Sequence, residues 1–144
     1  MVRIKEPMVL GHEIAGTVAE LGPGVASHTV GQRVAVNPSR PCGHCRFCRE
    51  GLHNQCLDMR FLGSAMRMPH VQGGFCQSLV VSAAQAVPIA DRLSWSEAAM
   101  AEPLAVCLHA ARRAGPLLGK RVLVTGCGPI GVLAVMCARL AGAS

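Results

Sequence analysis

The sequence predicts an α/β chain of 144 residues in which a β-rich part precedes a helical part. Short apolar runs separated by Gly and Pro dominate up to about residue 90. A helix-start pattern follows at Ser94, and an apolar run at 121–125 leads into a glycine-rich turn. Apolar residues make up 51% of the chain and charged residues 15%, which is typical of a packed globular protein.

In the β-rich part we predict three strands and one irregular lobe. Residues 14–21 and 34–36 are apolar runs next to Gly-containing turns, and residues 75–82 follow a Gly-Gly pair. Residues 38–60 are dense in Cys, Arg, Gly and Pro and show neither strand nor helix periodicity. We therefore expect a loop lobe there.

The helical part begins with a capping box. Ser94 and Glu97 have the spacing at which a hydroxyl and a carboxylate satisfy free amides at a helix start. Pro103 is poorly tolerated inside a helix but suits the first position of a new one. We therefore predict that the helix breaks near Glu102, restarts, and ends near Gly115.

A strand–turn–helix pattern closes the sequence. Residues 121–125 predict a buried parallel strand, Pro129–Leu140 a helix, and a Gly-x-Gly-x-x-Gly turn joins them. Gly126 permits the tight turn, and Gly128 lets the backbone approach a pyrophosphate that the helix N-terminus attracts. Gly131 allows close packing of helix and strand. The predicted cofactor is NAD or NADP, and both stay open because the residue that selects between them is expected after Ser144. The predicted cofactor-binding residues are Gly126, Gly128, Pro129, Ile130 and Gly131.

Four cysteines in the lobe have the spacing of a metal site: Cys42, Cys45, Cys48 and Cys56. Four thiolates complete a tetrahedral zinc shell with no open position, so we expect a structural zinc site. An iron–sulfur run would place the fourth Cys three residues on and a Pro after it, whereas here the gap is seven residues and Leu57 follows. Unmetallated thiols are the other alternative. The remaining cysteines lack such spacing and are expected to be small buried residues.

A second candidate ligand group is Gly11-His12-Glu13. Imidazole binds zinc well, and the adjacent carboxylate of Glu13 can be a further ligand or can hold a ligand in place. The other histidines have no comparable context and are expected to be surface or core residues. Among them, His70 is a minor candidate for a substrate pocket.

The composition argues against several other classes. The formal net charge is +6, but the basic residues are scattered and aromatics make up only 3%, so we expect no nucleic-acid binding. No apolar stretch approaches the roughly 18 residues of a membrane span. No signal region marks the chain for secretion, and eight cysteines without one indicate metal or reduced thiols. We expect a cytoplasmic protein that does not bind membranes.

These motifs together resemble the zinc-containing medium-chain dehydrogenases. Gly11-His12-Glu13-x2-Gly16-x5-Gly22-x2-Val25 matches the zinc signature of that family at each fixed position. Glu102-Pro103 stands where the alcohol branch has a zinc-binding Cys, which indicates the polyol branch. Within that branch the chain is similar to the L-idonate 5-dehydrogenase group. The runs that carry this similarity are Asn37 to Cys45, Asn54-Gln55-Cys56, Asp58 to Met66, Pro69-His70-Val71 and Gly73-Gly74-Phe75.

The resemblance implies an α/β fold with a β-barrel. Residues 1–103 would be part of a GroES-like catalytic domain, and 104–144 would be the first βα unit of a Rossmann domain. The family has a further Cys ligand upstream of Met1 and most of its Rossmann domain after Ser144. Residues 1–144 are therefore expected to be a fragment that is inactive by itself.

The resemblance also implies a mechanism. The catalytic residues would be His12, Glu13 and Glu102, and a second zinc ion would bind the missing Cys, His12 and a glutamate. Two arrangements are open: Glu13 is the ligand while Glu102 holds the zinc-bound water, or the two exchange roles. Zinc would lower the pKa of a substrate hydroxyl, and hydride would pass to the nicotinamide. We expect a homo-oligomer, a dimer or a tetramer, when the enzyme is intact.

The expected substrate is a polyol or a sugar acid. The resemblance favours oxidation of L-idonate to 5-keto-D-gluconate, with Arg60 and Arg67 as local candidates to pair with the substrate carboxylate. One alternative is a related dehydrogenase that acts on sorbitol, threonine or a vicinal diol. An alternative of another class is a zinc-lobe binding module without catalysis, which would leave the glycine turn and Glu102 unexplained.

Overall fold

The computed structural model describes residues 4–144, which form two compact units. The first unit ends at Ala99, and the second is Met100–Ser144. In chain order, the strands and helices of the first unit are β1 (Ile14–Thr17), β2 (Arg33–Val36), β3 (Ser39–Arg40), α1 (Arg46–Arg49), β4 (Arg60–Phe61), β5 (Ala86–Pro88) and α2 (Trp95–Ala99). Those of the second unit are α3 (Ala101–Ala114) and α4 (Pro129–Leu140).

The first unit is built on a three-stranded antiparallel sheet in the order β1-β2-β5. Its central strand β2 contributes the buried side chains Val34 and Ala35, and Ala35 pairs with Ala15 on one side and Val87 on the other. The prediction of a strand at 34–36 is confirmed. Within residues 4–144 the strands form this sheet and a two-stranded one, and they do not close into the expected barrel.

Two predicted strands differ from the structure. The strand expected at 14–21 stops at Thr17. Val18 still forms two backbone hydrogen bonds with the facing segment: its N–H donates to the Gln32 carbonyl, and its carbonyl accepts from the Gly31 N–H. The strand expected at 75–82 is not formed. Phe75 donates its backbone N–H to Leu10, but Val80 is 97% exposed, so the apolar run has no surface to pack against. An apolar run becomes a strand only where a neighbouring strand accepts its hydrogen bonds.

The lobe predicted at 38–60 is irregular, as expected, but it contains short elements. The four-residue helix α1 and a 3-10 turn at His53–Gln55 follow one another, and the two-residue strands β3 and β4 pair at its base. Arg40 lies opposite Arg60 and Ser39 opposite Phe61 in this pair. Strands this short carry no periodicity that a sequence pattern could reveal.

The capping box at the start of α2 is confirmed. The backbone N–H of Ser94 donates to the Glu97 carboxylate at 2.7 Å, and the backbone N–H of Glu97 donates to the Ser94 hydroxyl at 3.2 Å. Arg33 of β2 fastens the same segment, because its guanidinium donates to the carbonyls of Asp91 and Leu93 and lies 4.0 Å above the Trp95 ring. The side chain of Ala98 is only 2% exposed.

The break between helices lies slightly earlier than predicted. It falls at Met100 rather than near Glu102, and Pro103 occupies the third position of α3 instead of the first. Proline is tolerated there because the amides of the first helical turn have no partner within the helix. The helix ends at Ala114, and Gly115 with φ of 78° is its C-cap, which confirms the predicted end near Gly115.

The second unit is a pair of packed helices. Cys107 of α3 and Leu133 and Cys137 of α4 form its buried core. Helix α4 has the predicted bounds, with Gly128 as its N-cap and Pro129 at its first position. The strand predicted at 121–125 is not formed, since a parallel strand needs neighbours that residues 4–144 do not supply, and Leu123 is 88% exposed. Each helix in the described part of the chain is too short or too polar to cross a bilayer.

Replacing Ser94 with Ala should destabilise the first unit by about 1 kcal/mol, because a helix cap is lost. Ser96→Ala is the matched control, since Ser96 is exposed in the same helix and makes no side-chain hydrogen bond among residues 4–144. The free energy of unfolding, measured with urea, checks both. Equal values for the two variants would contradict the capping role.

The same cap predicts a pH dependence. The N–H and hydroxyl of Ser94 donate to the Glu97 carboxylate and lower its pKa below the usual 4.5. A lowered folded-state pKa means that the stabilisation is present at neutral pH and is lost as pH falls through that value. The urea midpoint of unfolding should therefore drop between pH 7 and pH 3, and this drop should be smaller for Glu97→Gln than for the wild type.

Candidate functional site

The four predicted zinc ligands come together in the lobe. The Sγ atoms of Cys42, Cys45, Cys48 and Cys56 all lie within 4.8 Å of one another. The sulfurs of Cys42 and Cys48 are 4.0 Å apart, close to the roughly 3.8 Å edge of a tetrahedron with zinc–sulfur bonds of about 2.3 Å. The donor set and its spacing therefore fit a tetrahedral metal ion.

Backbone amides surround the sulfurs. The N–H of Cys42 donates to Cys56 at 3.2 Å, that of Cys45 to Cys42 at 3.4 Å, and that of Asp58 to Cys56 at 3.3 Å. Such bonds favour the charged thiolate, which is the form that binds metal. Cys45 is the N-cap of α1 and Cys56 is the C-cap of the 3-10 turn, so both short elements border the cluster.

The thiols differ in acidity. Backbone N–H donors, first that of Leu57 and then that of Cys48, lower the pKa of Cys45 to about 6. The N–H of Cys42 in the same way lowers the pKa of Cys56. Burial raises the pKa of Cys48 to about 12, because removing a thiolate from water disfavours its charge. A bound cation would offset that cost.

His12 lies at a junction of backbone segments in the first unit. Its ring is half-buried and meets the Phe61 ring edge-on, with 5.2 Å between the ring centroids. Beside it, Gly11 has φ of 90° and accepts a hydrogen bond from the N–H of Gly74. Glu13 is exposed. Among residues 4–144, neither His12 nor Glu13 joins a group of three or more metal-ligating side chains.

Glycines make this junction possible. A Cβ on Gly73 would lie 2.5 Å from the carbonyl carbon of Leu10, and one on Gly63 would lie 2.8 Å from the carbonyl oxygen of Gly11. The three segments therefore approach so closely that any side chain at these two positions would displace the backbone next to His12. Neither Phe61 nor Gly63 was predicted to contribute to the site. Both lie in the run Asp58 to Met66 that carries the family resemblance, but some 50 residues from His12, so the sequence did not indicate their contact with it.

The candidates outside these motifs have structural roles. His70 is 6% exposed, accepts the Lys5 N–H at Nε2, and bonds through Nδ1 to the Arg67 carbonyl, so Nδ1 carries the proton. The expected alternative of a substrate-pocket histidine is not supported, since both ring nitrogens are occupied. Arg67 is likewise occupied: its guanidinium binds Asp58, Met59 and Leu57. Arg60 is exposed in β4.

The remaining predicted residues lie in the second unit. Glu102 is half-buried in the first turn of α3. Gly126 has φ of 98°, a conformation that side chains disfavour, and a Cβ on Gly131 would overlap the Gly126 carbonyl oxygen. The turn therefore folds tightly onto the start of α4. The exposed N-terminus of that helix presents free amides at Ile130 and Gly131.

The chain belongs to a known family. The alcohol dehydrogenase GroES-like domain family matches residues 1–91. An L-idonate 5-dehydrogenase (NAD(P)(+)) of Escherichia coli strain K12 is 51% identical over 98% of this chain and 40% of its own length. A sorbitol dehydrogenase of Bacillus subtilis strain 168 is 41% identical over 97% of this chain and 38% of its own length. The chain thus spans about 40% of the length of the curated relatives that it matches.

Solved structures agree with this assignment. The crystal structure of L-idonate 5-dehydrogenase from Escherichia coli superposes with a TM-score of 0.91 at 51% identity, covering 98% of this chain and 40% of that one. The crystal structure of 2R,3R-butanediol dehydrogenase from Bacillus subtilis gives a TM-score of 0.81 at 38% identity, covering 95% of this chain and 37% of that one. The fold of this chain is therefore shared with parts of these two dehydrogenases.

Gly73→Ala should destabilise the first unit by about 1–3 kcal/mol, the usual cost of forcing extra atoms into a packed site. Gly22→Ala is the control, because a Cβ at Gly22 would meet nothing within 4 Å. Urea unfolding of both variants tests this. If Gly73→Ala unfolds at the wild-type urea concentration, the close approach of the backbone segments is wrong.

Proposed function

We propose that this chain is part of an NAD(P)-dependent zinc polyol dehydrogenase. The observation that carries the proposal is the 51% identity over 98% of the chain to an L-idonate 5-dehydrogenase, which includes the His12 segment, the cysteine lobe and the glycine turn. A zinc-lobe binding module without catalysis would share the lobe alone. Similarity that extends through the glycine turn favours the enzyme.

In this proposal residues 1–103 belong to the catalytic domain and residues 104–144 begin a Rossmann domain. The division into compact units between Ala99 and Met100 lies close to that boundary. The tight turn at Gly126 and the exposed start of α4 support the second assignment, because they suit a pyrophosphate. Gly128, Pro129, Ile130 and Gly131 would then line the path of the cofactor backbone, and NAD and NADP are both open.

The four-cysteine lobe is proposed to hold a structural zinc ion. The Sγ spacing and the amide donors support it, and four thiolates leave no position for a substrate. Zinc in this lobe would therefore stabilise the fold and take no part in the chemistry.

His12, Glu13 and Glu102 are proposed to serve the catalytic zinc ion. Such an ion, when bound, supplies a Lewis acid that lowers the pKa of a substrate hydroxyl. The imidazole of His12 would be a ligand, and its edge-on contact with Phe61 limits rotation of the ring. Either Glu13 or Glu102 would be the second protein ligand from this chain, and the other would hold a water molecule.

The proposed substrate is L-idonate, oxidised at its 5-hydroxyl to 5-keto-D-gluconate. The support is the identity to the L-idonate enzyme, which exceeds that to the sorbitol dehydrogenases. Because Arg67 already binds three protein groups, Arg60 is the better candidate of the two to pair with the carboxylate. A sorbitol-type polyol is the second candidate, supported by sorbitol dehydrogenases that are 38–42% identical.

Metal analysis tests the lobe. The wild-type protein should hold one zinc ion in the lobe, and Cys48→Ser should lose it because a neutral hydroxyl is a poor ligand. Cys76→Ser is the control, since this exposed cysteine lies outside the cluster. Full zinc retention in Cys48→Ser, or iron with visible absorption, would overturn the assignment.

Steady-state rates on the full-length protein test the substrate. We expect the highest kcat/KM for L-idonate, compared with D-gluconate, sorbitol and threonine, with either NAD or NADP as acceptor. Arg60→Ala should raise KM for L-idonate but leave that for sorbitol nearly unchanged, because sorbitol has no carboxylate. A higher kcat/KM for sorbitol would reject L-idonate but keep the polyol dehydrogenase. If neither NAD nor NADP binds in a fluorescence titration, the enzyme class is rejected.

A further inference from the structure

Arg67 lies outside every motif, yet its guanidinium has three partners on one short segment. Nη1 pairs with the Asp58 carboxylate at 2.6 Å, Nε donates to the Met59 carbonyl at 2.8 Å, and Nη2 donates to the Leu57 carbonyl at 3.2 Å. These three residues directly follow Cys56, one of the four clustered cysteines. A single side chain therefore holds the segment that leaves the lobe.

The same segment lines a cavity of about 360 Å³ together with Phe61, Ser64 and Val71. Open space on that face leaves residues 56–59 without van der Waals partners there. The hydrogen bonds from Arg67 therefore add to those of the Leu57 and Asp58 amides, which donate to the sulfurs of Cys45 and Cys56.

Arg67 is itself anchored on its other side. Its carbonyl bonds to Nδ1 of His70, which is 6% exposed, and the N–H of His70 donates to the Glu6 carboxylate at 2.7 Å. The Lys5 N–H donates to the remaining ring nitrogen of His70. The arginine thus projects from a fixed base rather than from a free loop.

We infer that Arg67 is a positioning residue for the four-cysteine site: it holds residues 57–59 so that the Cys56 sulfur, and the Asp58 N–H that donates to it at 3.3 Å, keep the geometry that a metal ion requires. The inference rests on the proposed zinc site in the lobe. The side chains of the ion pair are partly solvent-exposed, 36% for Arg67 and 51% for Asp58, so the pair contributes little by charge alone. The planar, forked guanidinium binds two carbonyls and a carboxylate at the same time, and among side chains only arginine can do this.

Zinc release from the full-length protein to a chromogenic chelator tests this. Arg67→Ala should release the lobe zinc about ten times faster than the wild type, since residues that support metal ligands typically contribute 10–100-fold to affinity. Arg67→Lys keeps the charge but loses the fork, so it should also release faster by several-fold. Asp58→Ala should have a smaller effect, because both carbonyl bonds remain. Arg49→Ala is the matched control, an exposed arginine of the same lobe.

Cobalt substitution gives a readout that is independent of global stability. The d–d bands of Co(II) in the lobe should shift or lose intensity in Arg67→Ala and Arg67→Lys while the midpoint of thermal unfolding of the apoprotein stays near that of Arg49→Ala. Wild-type release and spectra in Arg67→Ala, or in Arg67→Lys, would overturn the inference. A wild-type protein that holds no metal in the lobe would instead overturn the proposed zinc site, and the inference with it.

Discussion

The lobe of residues 38–60 has to keep four sulfur atoms within 4.8 Å of one another. Residues 38–60 have almost no regular secondary structure that could fix their backbone, apart from one four-residue helix and a pair of two-residue strands. Thiolates at this distance repel one another, and burial raises the pKa of Cys48 because it disfavours the charged form. Amides at Cys42, Cys45 and Asp58 offset part of that cost, and a divalent cation would offset the rest.

Hydrogen bonds connect the cysteine cluster to residues 67–70, outside the lobe. Asp58 donates to the Cys56 sulfur through its N–H and pairs with Arg67 through its carboxylate, and the Arg67 carbonyl binds His70. Phe61, at the other end of the same segment, contacts the ring of His12. The lobe and the His12 junction are therefore connected by one stretch of residues, 56–61.

The second unit is held by the packing of two helices. Its two helices bury Cys107, Leu133 and Cys137 between them, and this small core accounts for the fold of the unit within residues 4–144. The apolar residues at 121–125 stay largely exposed and unpaired because parallel strands are stable only beside other strands. The tight turn at Gly126 nevertheless forms, since its geometry depends on the glycine backbone and on the first turn of α4 rather than on a sheet.

The sequence alone determined the features that depend on local chemistry. The capping box at Ser94 and the bounds of α4 depend on groups that lie within a few residues of one another. The four cysteines lie within one short lobe, and their spacing alone marks them as a metal site. The tertiary structure decided the rest. Whether 75–82 and 121–125 became strands depended on pairing partners that no local pattern describes. The roles of Phe61 and Arg67 likewise arose only when folding brought distant segments together, because a contact between them exists only in three dimensions.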